Sequence, residues 1–178
     1  DVKQNDLEFA VLGCAVGSSF AVLIAEQLFV SGCKTLISIT SAGIINPTKE
    51  NSKFVLIEQA LRDEGTSYHY LPPSEISCID PILLKNLMTY YGATDIPIEV
   101  GKSWTTDAPY RETQTAIDEA KKLNVVCVEM EAAALYAFAK AKSKEVICFA
   151  HLTNTMAQTA GDFEKGEKML LEILERKP

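Results

Sequence analysis

Apolar residues in this chain come in short blocks set between polar turns, and the spacing inside each block predicts the element. A polar lead runs into a strand candidate over Glu8–Leu12. The following segment, Ser18–Ser31, keeps Phe20, Leu23, Ile24, Leu28 and Phe29 on or near one face, with Glu26 and Gln27 away from it, which predicts an amphipathic helix. "KTLISIT" reads as a second, buried strand, and "IPIEVG" and "NVVCVEM" as two more. Glu112–Leu123, Glu131–Lys142 and Phe163–Arg176 have helical spacing. Strands alternating with helices imply a layered α/β fold. "YLPPSEISCIDP" reads as a surface connection, and no repeat or Gly/Ser linker divides the chain, so residues 1–178 form one domain. Nothing resembling a first strand and helix precedes Glu8, so the chain reads as part of a larger domain.

Composition narrows the function classes. A net charge of −7 opposes nucleic acid through long-range repulsion, while leaving room for a local pocket that takes one phosphate. No apolar run reaches the length of a membrane span and no targeting peptide is visible, so a cytoplasmic location is expected. The five cysteines lack C-x-x-C spacing, which fits a reducing compartment, and two histidines, His69 and His151, offer little to a metal ion.

Several stretches carry candidate chemistry beside an ordinary structural role. "LGCAVGSSF" places Gly13 and Gly17 between a strand and a helix, where they serve either as a turn and cap or as a loop receiving an anion. "SITSAGIINP" ends a strand with Thr40, Ser41, Ala42 and Gly43, either a polar turn or the strand-end position where α/β sheets bind ligands. "GTSYHY" reads as an aromatic edge strand, with His69 on the face opposite Tyr68 and Tyr70. In "SWTTDAPYRET", Thr113 or Thr106 is a candidate helix cap and Asp107 can bond its own turn. Those roles leave Trp104 and Tyr110 unexplained.

The most informative stretch is "VEMEAAALYAFA", residues 128–139, which sets Glu129 and Glu131 inside an otherwise apolar run. A buried carboxylate without donors costs several kcal/mol, about 3–5 when a pair is broken, so both acids need partners from the fold or from a ligand. Glu131 either caps the helix electrostatically or points a carboxylate at a pair of vicinal hydroxyls.

With "TSAG", "TTDAPYRE" and "GCAVGSSFAVLIAEQL" in the same order, "VEMEAAALY" resembles the signature of the nucleoside phosphorylase and nucleosidase superfamily, which includes purine nucleoside and uridine phosphorylases. The resemblance implies a three-layer α/β/α sandwich with a central mixed β-sheet, in a domain of residues 1–178 lacking the family's N-terminal strand-helix portion. It implies a pentosyltransferase cleaving a nucleoside's N-glycosidic bond, with inorganic phosphate as co-substrate and no other cofactor or metal, acting in purine or uridine salvage. By the same resemblance Glu131 binds the ribose hydroxyls, Met130 packs on the ribose and Glu129 supports them. Ser41, Gly43 and Gly17 face phosphate, Asp107, Tyr110 and Asn154 face the base, and Asn154 takes the catalytic position beside it. Partners are then a nucleoside, phosphate and further copies of the chain in a dimer or hexamer. The sequence departs from the family at Ser38, where phosphorylases of the nearer type have arginine, and at Pro109, where an aromatic residue commonly stacks on the base. Arg111 and Gln114 stand in the reverse of the order that reads uracil. A nucleoside hydrolase and a noncatalytic nucleoside-binding or assembly protein are the alternatives.

Overall fold

The computed structural model describes residues 2–4, 7–48, 52–94 and 98–155. Strands β1 (Val2–Gln4) and β2 (Leu7–Phe9) form a short antiparallel pair. The strand expected over Glu8–Leu12 ends at Phe9, since β1 offers only three residues to pair with. Helix α1 (Ser18–Val30) leads to β3 (Thr35–Ile44), β4 (Phe54–Asp63), β5 (Ile76–Cys78) and α2 (Pro81–Tyr91). Then come β6 (Ile98–Thr106), α3 (Gln114–Lys122), β7 (Val125–Glu129), α4 (Ala132–Lys142) and β8 (Glu145–Thr155). The helix expected over Phe163–Arg176 lies outside the described residues.

The larger sheet is mixed, in the order β5-β4-β6-β7-β3-β8, and β8 also pairs with β4. Neighbours β3 and β8, β4 and β6, and β6 and β7 run parallel, whereas β3–β7, β4–β5 and β4–β8 are antiparallel. The β4–β8 contact, Phe54 opposite His151 to Leu56 opposite Phe149, closes five strands into a ring. Gly101 on β6 is required by this closure: a Cβ there would stand 2.8 Å from Val126 and 3.3 Å from Val55.

Helix α4 lies in the core. Every residue from Ala132 to Ala139 is buried, so the helix has no polar stripe. Its alanines let it approach the strands closely, and Tyr136, Leu135 and Phe138 fill the remaining volume. The Tyr136 hydroxyl donates to the Ile57 carbonyl and accepts from the Cys148 amide at 3.1 Å, bridging β4 and β8. A second, smaller core gathers Ile45, Trp104, Ile117, Ala120, Val125 and Val128 beneath α3. Its helix begins at a Thr113 cap, whose hydroxyl accepts from the Ala116 amide.

Two expectations are corrected. The strand in "KTLISIT" exists, but it is not buried throughout: Ile37 and Ile39 point outward and are 59% and 66% exposed. "GTSYHY" forms no edge strand, because Ser67–His69 is a 3₁₀ turn. The cause is Arg62, a buried guanidinium that needs acceptors. It donates to Ser67 Oγ at 2.8 Å, Ser74 Oγ at 2.6 Å and the Pro72 carbonyl at 2.8 Å, and lies over the Tyr68 ring. That wraps residues 67–74 around its head. "YLPPSEISCIDP" is a connection that also contributes β5.

Tyr136→Phe removes the hydroxyl while leaving the Ile57 carbonyl and Cys148 amide buried. It is expected to destabilise the fold by about 1–3 kcal/mol. Urea denaturation of both proteins checks this, and equal midpoints would show that the bridge contributes nothing.

Candidate functional site

The turn from β7 into α4 holds both acids of the VEME motif, each nearly out of water: Glu129 is 3% and Glu131 4% exposed. Glu129 faces inward. Its Oε2 accepts from the Glu131 and Ala132 amides, both at 2.7 Å, which are the free amides at the start of α4. Its Oε1 accepts from Ser103 Oγ at 3.0 Å and from Thr105 Oγ1. Thr105 Oγ1 in turn accepts from the Ala133 amide at 3.0 Å, so one hydroxyl joins β6 to both the acid and the helix.

Glu131, at the N-cap of α4, faces the other way. Its Oε1 accepts from the Gly17 amide at 2.7 Å, and its Oε2 from Thr40 Oγ1 at 2.8 Å and the Met130 amide at 3.3 Å. Gly17 can present that amide because its φ of 90° is open to glycine. Ser18 Oγ donates to the Met130 carbonyl at 2.7 Å, fastening the start of α1 to the same turn.

This turn forms one wall of an open groove of about 1110 Å³. Of the residues expected at a site, Glu129, Met130, Glu131, Ser41 and Gly43 all line it, joined by Ser38, Thr40 and the Gly13–Cys14 loop. Gly17 does not; its amide is held by Glu131 instead of being offered to an anion. Asp107 and Tyr110 are not brought to the groove either. Asp107 accepts from the Gly65 amide at 2.9 Å, and Tyr110 is 89% exposed. Pro109 and Glu112 are the members of that segment on the groove wall. Trp104 sits in the smaller core, its indole N–H donating to Asp63 Oδ2 at 2.9 Å. Asn154 lies on β8 with its backbone opposite Gly43, and its side chain is outside the described residues. Among the described lining residues the acids are Glu8, Glu112, Glu129 and Glu131, and the one cationic side chain is Lys34. Among the described residues no cluster of His, Cys, Asp and Glu is arranged to hold a metal ion.

The profile of the Phosphorylase superfamily matches residues 5–173. The chain belongs to that superfamily. Phosphorylase-superfamily relatives include guanosine phosphorylase of Halorubrum lacusprofundi, 27% identical over 142 residues, covering 80% of this chain and 59% of the relative. Uridine phosphorylase of Thermococcus kodakarensis is 24% identical, covering 77% of this chain and 54% of its own length. A DeoD-type purine nucleoside phosphorylase of Streptococcus uberis is 30% identical, covering 71% and 54%. The chain thus spans little more than half the length of these relatives. The crystal structure of uridine phosphorylase from Vibrio fischeri superposes with a TM-score of 0.69 at 21% identity, over 78% of this chain and 58% of that one, which shows a shared fold.

Within this superfamily fold the motif acids were legible from sequence, but their donors were not. Ser103, Thr105 and Thr40 are ordinary hydroxyl residues on other elements, and only the need of a buried acid for donors hinted that such partners exist.

Burial raises the pKa of Glu129 from 4.5 to about 7, against the hydrogen bonds from Thr105 and the α4 amides that lower it and with the nearby Glu131 charge raising it further. The folded state therefore holds this proton more tightly than the unfolded chain. Its stabilising contribution is complete below pH 4.5 and is lost as pH rises through about 7. Glu129→Gln, whose amide can donate to the hydroxyls while its oxygen accepts from the helix amides, is expected to remove that loss. Denaturation measured from pH 4.5 to 8 should show the wild type losing stability relative to the variant, and parallel curves would refute the shift.

Proposed function

We propose that this chain binds the ribose of a nucleoside in the groove and serves cleavage of the N-glycosidic bond with ribosyl transfer to phosphate. The observation that carries the reading is the Glu131 carboxylate, held in place by Gly17 and Thr40 on the groove wall beside Met130. A fixed carboxylate accepts sugar hydroxyls by charge-assisted bonds and favours the positive charge that grows on the ribosyl ring as the bond to the base breaks. In that reaction a phosphate oxygen bonds to the anomeric carbon, the carbon–nitrogen bond breaks, and a proton goes to the base. Met130 is the apolar surface for the ring, and Glu129 positions both residues through the α4 amides. Asn154 is the expected partner of the base, its amide able to donate as well as accept, which suits a 6-oxopurine.

Ser41, Gly43 and the Gly13–Cys14 loop are where phosphate would sit, but the groove supports it poorly in charge. Ser38 is neutral, and four acids stand against Lys34. This favours, as a second reading, hydrolysis to free ribose by water. A homo-oligomer is in keeping with the outward apolar residues Ile37 and Ile39. Among the described residues no helix is long and apolar enough to cross a membrane, and all five cysteines are free, as a reducing cytoplasm would leave them.

Assay of base release from a panel of nucleosides, with and without phosphate, tests the proposal. Glu131→Gln is expected to lower kcat/KM on ribonucleosides by roughly 10- to 150-fold, the equivalent of about 1.5–3 kcal/mol for one charge-assisted bond, with the fold intact by circular dichroism. Unchanged kinetics would remove Glu131 from the site. Phosphate is expected to stimulate base release only weakly unless an arginine from outside this groove, such as one on a neighbouring subunit, supplies the missing charge, and Ser38→Arg is expected to raise phosphate affinity. Strong saturable activation at sub-millimolar phosphate would exclude the charge argument.

A further inference from the structure

The groove face of Glu131 is already partly occupied, and the occupant is a neighbouring side chain. A carboxylate offers about four acceptor positions, two on each oxygen. Oε1 receives one donor, the Gly17 amide at 2.7 Å, and keeps one position open. Oε2 receives two, the Thr40 hydroxyl at 2.8 Å and the Met130 amide at 3.3 Å, and is full. A vicinal diol that grips both oxygens of a carboxylate needs an open position on each. Thr40 stands where the second hydroxyl of the diol would donate.

Thr40 sits on β3 opposite Ala150 in the parallel pairing with β8, and it lines the groove together with Glu131. Its hydroxyl has two acceptors in reach, Oε2 at 2.8 Å and the Ser41 carbonyl at 3.3 Å; with its proton on the nearer, charged one, its own oxygen is left as an acceptor. A sugar bound through Oε1 would then place its first hydroxyl on a charged acceptor and its second on a neutral one. Resting on the nucleoside reading above, we propose that Thr40 is a specificity-determining residue that weakens discrimination between a ribose and a deoxyribose by standing in for one sugar hydroxyl at Glu131. The ligand class this selects is nucleosides whose sugar presents one essential hydroxyl, with the second contributing little.

The experiment compares a ribonucleoside with its 2′-deoxy and 3′-deoxy analogues on the 178-residue chain, as kcat/KM and as dissociation constants, for wild type, Thr40→Ala and Thr40→Ser. Thr40→Ala empties the position on Oε2 and leaves space for a sugar hydroxyl. The preference for the ribonucleoside over one of the two analogues is expected to widen by roughly three- to tenfold, the gap between a neutral and a charge-assisted hydrogen bond. Thr40→Ser retains the hydroxyl and should keep the wild-type ratio, and it is this contrast with a widened ratio in Thr40→Ala that a merely structural role for the threonine would not produce. Ratios unchanged in Thr40→Ala, or widened equally in both variants, would overturn the role of Thr40 while leaving the nucleoside site standing. Failure of the wild type to bind any of the three nucleosides would instead overturn the nucleoside reading and this inference together.

Discussion

Two carboxylates two residues apart, both almost out of water at the start of one helix, have to be neutralised by hydrogen bonds. The rest of the structure is organised by where those bonds come from. Either acid left unpartnered would cost several kcal/mol, of the order of 3–5, a large part of a typical domain's stability. Glu129 draws on β6 and the first amides of α4, and Glu131 on the start of α1 and the middle of β3. Four elements are thereby fixed relative to one turn. The same bonds that make burial tolerable also orient the groove wall, so the geometry of the site and the cohesion of the fold rest on one network.

How much of this was readable from sequence depended on the range of the interaction. Helices α3 and α4 announced themselves by spacing and by local caps such as Thr113, and the β7–α4 motif by two acids in an apolar run; α1 forms where expected but buries Ala21, Val22, Ala25 and Phe29 and leaves Phe20 and Leu23 of the expected face exposed. Strands β4 and β8 and helix α2 were not drawn out of the pattern, because "FVLIEQALRD" and "EVICFAHLTNT" mix charged and apolar residues without clean alternation; ring closure decides which of them are buried. "GTSYHY" alternates like a strand, yet the buried Arg62 five residues before Ser67 takes that segment for its acceptors. Thr40 and Gly17 lie 91 and 114 residues from Glu131, and nothing local marks them as its donors. Asp107 and Tyr110 resembled a ligand segment, but the adjacent Pro109 and Glu112 reach the groove.

The groove joins two physical characters. Near the VEME turn it is polar and preorganised, its two carboxylates held by backbone amides and hydroxyls. Toward β3 and α1 it is broad and apolar, bounded by Phe9, Leu12, Val16 and the outward isoleucines of β3. The first region presents hydroxyl and carboxylate acceptors that are rigidly placed. The second region supplies contact area with little directionality.

Closure of the ring has a consequence for how the chain is made. The ring strands β3 and β4 each keep an open edge until β8 arrives, since β8 pairs with both. On a ribosome the N-terminal part emerges first, so a nascent chain that has not reached Glu145 carries two unsatisfied strand edges. Strand β8, the last of those described, is thus the one that ends exposure of these two edges to edge-to-edge association, and the interval before it emerges is when a chaperone would be most useful to them.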